Sequence, residues 1–220
     1  MVLEADAPRS YRHLPTDRSR LHAARSLAVA LVALAVTTAS AIPRGVTEIE
    51  RTLFKAVNGL PDTIQWPLWV VMQLGAALAI PVLALLSLLG WRRLRPALDL
   101  MVAGTLAWVL AKVMKGLLER GRPASFFDDV DLRGVFGADN IDGLGFPSGH
   151  VAVAFALAVV VYPYLAPRWR ALTLVLAAIV AFTRLYFGAH FPLDALGGAA
   201  LGVAIGAIVH LVMDRVLHHH

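Results

Sequence analysis

Residues 147–167 read Pro-Ser-Gly-His-Val-Ala-Val-Ala-Phe-Ala-Leu-Ala-Val-Val-Val-Tyr-Pro-Tyr-Leu-Ala-Pro. From Val151 onward the run carries no charge, and a membrane helix needs ~20 mostly apolar residues. A serine, a glycine and a histidine stand at its head, and a proline suits the first helical turn. Free backbone N–H groups at such a terminus, together with the helix dipole, make an anion site. Ser148 can add a hydroxyl donor, and Gly149 lets an anion approach the backbone. Taken alone, the same four residues would also serve as a plain helix cap with an incidental histidine.

Working outward, five further apolar stretches reach comparable length, at 26–43, 67–91, 96–118, 171–187 and 192–213. Those at 67–91, 147–167 and 192–213 are clean. Those at 96–118 and 171–187 carry Lys112, Lys115 and Arg184, which are expensive in lipid; each keeps its cations toward one end. Of the 220 residues 58% are hydrophobic and 16% charged, against ~45–50% and ~25% in a soluble domain. That composition excludes an ordinary soluble enzyme and a disordered or fibrous chain. With no cysteine, disulfides, thiolate zinc sites and a cysteine nucleophile are excluded too. Only Lys55, Lys112 and Lys115 are lysines among the 20 basic residues, and alanine is abundant, which hints at a GC-rich bacterial gene.

The net charge of +5 sits in short clusters between apolar runs, a mark of membrane topology rather than nucleic-acid binding. Arg9, Arg12, Arg18, Arg20 and Arg25 precede the first span. Arg92, Arg93 and Arg95 follow the second, Arg168 and Arg170 the fourth, and Arg215 the sixth. These segments are expected to be cytoplasmic, with both termini inside. The 44–65 and 119–146 connections and the turn near Phe191 then lie outside; 119–146 has six acids against three arginines. Arginines, an apolar run and Ala39-Ser40-Ala41 also fit a cleavable signal, but the basic tail is long for one and the segment is read as retained. The layout is therefore all-α: an integral membrane bundle of six transmembrane helices, with a cytoplasmic tail at 1–25, one domain at 26–217, and a tag remnant at 218–220.

Between spans one and two, Val46, Ile49, Leu53, Phe54, Val57 and Leu60 follow a helical period. Thr47 with Glu50 makes a capping box, and Asn58-Gly59 followed by Pro61 a stop. This predicts a short amphipathic helix on the outer membrane surface. In the last span Gly198, Gly202 and Gly206 recur every four residues, a stripe for close helix approach; its uses are packing within the bundle or a homodimer seam.

Polar residues gather at the outer ends of spans three to six. Lys115 and Arg122 stand nearly two helical turns apart, with Pro123 after them. Thr183-Arg184 ends span five. His190 and Asp194, four apart, bring a carboxylate within reach of an imidazole if the turn is helical; a carboxylate on one ring nitrogen fixes the tautomer and frees the other. Each group has a bland reading, as a snorkelling lysine with a surface arginine or as an interfacial His–Asp pair. Together, three cations, two histidines, one carboxylate and a helix N-terminus on one face call for a dianion such as phosphate.

With these residues in view, the chain resembles the type 2 phosphatidic acid phosphatase (PAP2) superfamily, in its bacterial membrane lipid phosphatase branch. The three signatures are Lys115–Arg122-Pro123, Pro147-Ser148-Gly149-His150 and Arg184–His190–Asp194, and all intervals match across about 67–214. Thr183 departs from the usual serine but keeps a hydroxyl. The resemblance implies a metal-independent phosphatase with a phosphohistidine intermediate. In it His190 is the nucleophile, Asp194 orients it, and His150 protonates the leaving oxygen. Lys115, Arg122, Arg184, Ser148 and the Gly149 amide hold the phosphate. A His-His-Asp metal site is the rival use of the same atoms; neighbouring arginines and a lysine would repel a divalent cation, so no metal and no cofactor is assigned. The expected function is hydrolysis of a lipid phosphate monoester or diphosphate on the extracytoplasmic face of a bacterial plasma membrane. Polyprenyl diphosphate, phosphatidic acid, phosphatidylglycerol phosphate and prenyl-linked sugar phosphates are candidate substrates. Two alternatives use the same groups: a phosphotransferase, and an anionic-lipid transporter without turnover.

Overall fold

The structure, a computed structural model, describes residues 17–133 and 143–216. The tail arginines Arg9 and Arg12, the side chains of Arg18 and Arg215, the acids Asp139 and Asp142, and the terminal histidines lie outside the described residues. Eight α-helices follow in chain order: α1 (Asp17–Ala41), α2 (Glu48–Asn58), α3 (Gln65–Met72), α4 (Ala79–Trp91), α5 (Leu94–Leu118), α6 (Gly149–Val161), α7 (Pro167–Tyr186) and α8 (Pro192–Val216). Among the described residues the one β feature is an isolated bridge between Gly121 and Leu144.

The run that opened the sequence reading is the centre of the bundle. α6 packs against α5, α7 and α8, and α1 lies on the outside of α8. The seams are built from small residues. Ala103, Ala107 and Ala111 of α5 and Ala152, Val153, Ala156 and Leu157 of α6 form one core with Leu201, Ile205 and Val209 of α8. Large apolar side chains point the other way: Val29, Val32 and Val36 of α1 and Leu85 and Leu89 of α4 are exposed. A soluble protein rarely exposes contiguous apolar surface on that scale. The glycine stripe of α8 serves this interior. A Cβ at Gly198 or Gly202 would run into the α6 carbonyls of Ser148 and Ala152, and one at Gly206 into Val159.

Among the described residues four helices are long and apolar enough to cross a membrane: Arg20–Ala41, Leu94–Leu118, Pro167–Tyr186 and Pro192–Met213. The stretch at 67–91, expected as one clean span, is instead broken. Asp62–Gly75 and Ala79–Trp91 meet at 76°. Two residues account for the break. Pro81 has no N–H to continue a helix from α3 and is tolerated only in the first turn of α4. Gly75 lies so close to the His150 carbonyl that a Cβ would overlap it, and this holds the Gln73–Gly75 turn on the start of α6. The central stretch at 147–167 is also shorter than expected. It yields a 13-residue helix and a 3₁₀ turn at Tyr162–Tyr164, with Pro147 ahead of the cap rather than in the first turn.

The amphipathic helix forms as the sequence predicts. Thr47 caps α2, its hydroxyl accepting from Glu50 N–H while the Thr47 N–H donates back to Glu50. The sharing of its faces differs in detail. Ile49 and Leu53 are exposed, whereas Phe54 is 1% exposed and meets the Phe191 ring edge-on at 5.3 Å. Asn58 does more than stop the helix: its amide donates to the carbonyls of Asp131 and Tyr186. Arg133 donates to the Asn58, Leu60 and Tyr186 carbonyls, so the loop after α5 is pinned to the ends of α2 and α7.

Chain direction sorts the charges. Arg20 and Arg25, then Arg92, Arg93 and Arg95, then Arg168 and Arg170 occupy one end of the bundle. The ends of α5 and α7 and the starts of α6 and α8 lie at the other. At the arginine-rich end the Tyr164 hydroxyl donates to buried Asp99 at 2.6 Å.

Candidate active site

α5 ends at Leu118, where Glu119 takes a left-handed conformation at φ 48°. The helix therefore does not persist to Arg122, which stands in an extended backbone ahead of Pro123. Lys115 and Arg122 still converge, because both reach the strand-like segment before α6. The Lys115 ammonium donates to the carbonyls of Leu144 at 2.6 Å and Gly145 at 2.8 Å. Arg122 Nε donates to Leu144 O at 3.4 Å. Glycines make this approach feasible: a side chain on Gly143 would strike the Arg122 guanidinium, and one on Gly145 the Asp194 carboxylate.

At the start of α6 the cap position is Ser148, and its hydroxyl makes no capping bond. Ser148 Oγ is buried with no hydrogen-bond partner among the described residues, while the Ser148 N–H donates to Asp194 O at 2.9 Å. Buried hydroxyls are usually paired, so a free one beside cations is a ready donor or acceptor for a ligand. Gly149 is not required by packing, since a Cβ there would touch just Ala111 at 3.9 Å. The absence of a side chain keeps that backbone amide approachable.

α7 delivers Arg184, whose NH1 lies 2.8 Å from Met72 Sδ and whose buried Nε has no partner among the described residues. Thr183, by contrast, turns its hydroxyl back onto Val180 O at 2.6 Å, so the hydroxyl kept at this position is spent within the helix. Gly188, at φ 73°, turns the chain toward α8. His190 and Phe191 precede Pro192, and Asp194 falls in the first turn of α8. Asp194 Oδ2 accepts from Phe191 N–H at 2.9 Å and lies 3.5 Å from His190 Nδ1. That leaves Nε2 as the ring nitrogen away from the carboxylate.

All eight residues singled out in the sequence thus fall at one end of the bundle. The charges of Lys115, Arg122 and Arg184 act on both His150 and His190. Burial, then the positive charges of Lys115, Arg184 and Arg122, hold the His190 imidazole well below its ordinary range. A neutral imidazole beside three cations can attack an electrophile whose negative oxygens those cations hold. Among the described residues no three His, Asp or Glu side chains are grouped to hold a metal ion.

Two residues at this end were not singled out as site residues. Arg120, fully buried, sends NH1 to Asp194 Oδ1 at 2.7 Å and NH2 to Glu50 at 2.9 and 3.0 Å and to Gly45 O at 3.0 Å. Its Cζ lies 5.3 Å from the Phe191 ring centroid. Glu50 carried one sequence signal: it is a carboxylate four residues after Val46 and four before Phe54, inside the apolar stripe of α2. Arg120 carried none beyond its place between Lys115 and Arg122.

The chain matches the PAP2 superfamily over residues 71–217. It is 33% identical over 149 residues to the decaprenylphosphoryl-5-phosphoribose phosphatase of Mycobacterium tuberculosis, covering 66% of this chain and 71% of that one. It is 28% identical over 182 residues to the lipid A 4′-phosphatase of Bacteroides thetaiotaomicron, covering 77% and 79%. The transmembrane PAP2-type phosphatidylglycerolphosphate phosphatase of Bacillus subtilis shares the fold at a TM-score of 0.68 and 22% identity, over 87% of this chain and 97% of that one. The chain belongs to the PAP2 superfamily. It is a phosphatase of the integral membrane kind.

Proposed function

We propose that this protein hydrolyses the phosphate monoester or diphosphate of a membrane lipid on the extracytoplasmic face through a phosphohistidine at His190. One observation carries the reading: three cations and two histidines from three helices and two loops meet at the bundle end opposite the arginine clusters. Positive clusters mark the cytoplasmic side, which puts both termini inside and the site outside, with α2 at the outer interface. Six crossings follow if α3–α4 count as one broken span and α6 crosses within the shell of α5, α7 and α8; residues 26–217 then make a single domain.

In this mechanism Lys115, Arg122 and Arg184 surround the phosphoryl oxygens, with Ser148 and the Gly149 amide at the α6 terminus. His190 Nε2 attacks phosphorus in line, Nδ1–H donates to Asp194, and the P–O bond to the leaving group breaks as His150 hands that oxygen its proton. Water then attacks the phosphohistidine and gives its proton to the now neutral His150, which releases phosphate and restores both imidazoles. Fixed cations stabilise the equatorial charge that such a transition state develops. The site lies among helix ends, which suits a substrate whose tail stays in lipid. The relatives act, by name, on a prenyl-linked phosphoribose and on lipid A, which extends the candidates to lipid A-type phosphates beside prenyl and glycerolipid phosphates.

The test is phosphate release by the purified protein against a panel of lipid mono- and diphosphates, beside His190→Ala. Release by the parent and none by the variant supports the reading. Binding without release would leave an anionic-lipid carrier, and transfer of the phosphate to an added alcohol in place of water would leave a phosphotransferase.

A further inference from the structure

We infer that Arg120 and Glu50 are positioning residues for the reaction, fixing the orientation and charge of Asp194 and through it of His190. The inference rests on the catalytic reading of His190 and Asp194 given above. The pair is part of no sequence signature identified in this chain, and neither residue faces the phosphate site directly.

The Arg120 and Asp194 side chains are both 0% exposed, and Glu50 is 11% exposed. Taking charges out of water costs several kcal/mol per ion, and only close pairing with full hydrogen bonding offsets it. Here one guanidinium spans two carboxylates, with NH1 on Asp194 and NH2 on both oxygens of Glu50 and on the Gly45 carbonyl. Glu50 is held in turn by the capping box that starts α2. A chain of contacts therefore runs Thr47–Glu50–Arg120–Asp194–His190, from a helix outside the long spans to the nucleophile. With Oδ1 occupied by Arg120, the carboxylate can offer only Oδ2 to His190 and to Phe191 N–H. A lysine could supply the charge at residue 120 but not the fork.

The electrostatics give a signature that a mere clamp on α2 would lack. The groups facing His190 are Lys115 from α5, Arg122 from the following loop, His150 from α6, Arg184 from α7 and Asp194 from α8; Arg120 and Glu50 stand behind Asp194. Removing the Arg120 charge leaves Asp194 unshielded, so protonated His190 is better stabilised and the acidic limb of activity moves to higher pH. Removing the Glu50 charge leaves Arg120 wholly to Asp194, and the limb moves to lower pH.

The experiment uses the full chain in detergent, with p-nitrophenyl phosphate as a substrate that needs no lipid delivery. Glu50→Gln, Arg120→Gln and Arg120→Lys are compared for kcat, KM, thermal unfolding and the pH dependence of kcat/KM. His190→Ala and Asp194→Asn are the references. Glu50→Gln retains the capping box, which accepts glutamine at that position. Expected are a fall in kcat of about 10–100-fold for Arg120→Gln, the range typical when an orienting partner is lost, little change in KM, and limbs displaced in opposite directions for Arg120→Gln and Glu50→Gln. Arg120→Lys should lose kcat with its limb near that of the parent. If Arg120→Gln does not fold, the limb of Glu50→Gln and the kcat of Arg120→Lys decide. Folded variants with parental kcat and unmoved limbs overturn the inference, as does movement of both limbs in one direction. If His190→Ala or Asp194→Asn keeps parental turnover, the site reading fails and this inference fails with it; inactive references beside unaffected Glu50 and Arg120 variants overturn the inference alone.

Discussion

Asp194→Asn isolates the tautomer of His190, the proposed nucleophile, and the surroundings of that carboxylate set the size of the effect. Both oxygens accept from donors: Oδ1 from Arg120 at 2.7 Å and Oδ2 from Phe191 N–H at 2.9 Å, with His190 Nδ1 at 3.5 Å. An asparagine has one acceptor oxygen, so an NH₂ group must face a donor in either orientation. Turned toward Arg120, the amide sets donor against guanidinium in a site with no water exposure. Turned toward α8, it strands the Phe191 N–H and makes His190 Nδ1 an acceptor, which moves the ring proton to Nε2 and removes the lone pair that attacks phosphorus. A buried donor left unpaired costs ~1–3 kcal/mol, so folding should survive. Catalysis should not: the corresponding exchange in a serine-protease triad lowers kcat about 10⁴-fold through the wrong tautomer, and a fall of about that order is expected here. The assay is rapid-quench labelling with a ³²P substrate, scoring the base-stable, acid-labile phosphoenzyme beside steady-state turnover and vanadate affinity. Asp194→Asn with more than a tenth of parental kcat and undiminished phosphoenzyme would refute the reasoning.

Three further outcomes are expected. Turnover should survive EDTA and be inhibited by vanadate; loss with chelator and recovery with Mg²⁺ or Zn²⁺ would count against a cation-built phosphate site. Ile49→Glu and Leu53→Glu, on the exposed face of α2, should raise KM for a long-tailed lipid phosphate far more than for a short-chain analogue, and equal effects on both would remove α2 from the substrate's path. Gly202→Val should destabilise by ~1–3 kcal/mol, at the upper end because the obstacle is α6 main chain rather than a side chain that can move. Gly90→Val, where a Cβ meets nothing within 4 Å, is its control in detergent unfolding curves.

The eight residues of the proposed site drew attention in the sequence because ionisable groups are expensive where the apolar pattern puts most of them. Lysine, arginine and histidine at the ends of membrane-length runs demand a reason, and their intervals supplied it. The turn that follows α5 was less legible. The apolar stretch at 96–118 stops where α5 stops, at Leu118, but nothing in the local pattern announces that Glu119 adopts a left-handed conformation, so whether the helix persisted to Arg122 stayed open. The broken span is a similar case. Apolar residues at 67–91 satisfy a hydropathy criterion whether the chain is straight or bent, and the bend is imposed by a tertiary contact, Gly75 against the carbonyl of His150. The glycine stripe of α8 announced a close approach but not its partner; α6 fills it, so a dimer would have to use another face.

Glu50 and Arg120 show where pattern reading stops. Glu50 explained itself locally as the capping partner of Thr47, and a residue with a sufficient local role invites no second one. The counter-signal lay in its register. It occupies the stripe that Val46 and Phe54 define, so the face that buries those side chains must bury a carboxylate too. A buried carboxylate needs a cation, and the chain had already committed Lys115, Arg122 and Arg184 to one anion site. Of the other arginines at that end of the bundle, Arg44 pairs with Glu119 in the open, each side chain 56% exposed, Arg51 is half exposed and lies over the Phe127 ring near Glu48 of its own helix, and Arg133 is held by carbonyls of the α2 and α7 ends. Arg120 remains, one residue after the left-handed Glu119 that turns it inward. The left-handed turn at Glu119, which sequence patterning does not show, therefore directs this guanidinium between two carboxylates, Glu50 on α2 and Asp194 beside His190. Exchanging the two charges, as Glu50→Arg with Arg120→Glu, should restore folding relative to either change alone but not turnover, because a glutamate at residue 120 would face Asp194 as a like charge. Recovery of both would make the pair a clamp and nothing more, with thermal unfolding and kcat read on the same preparations.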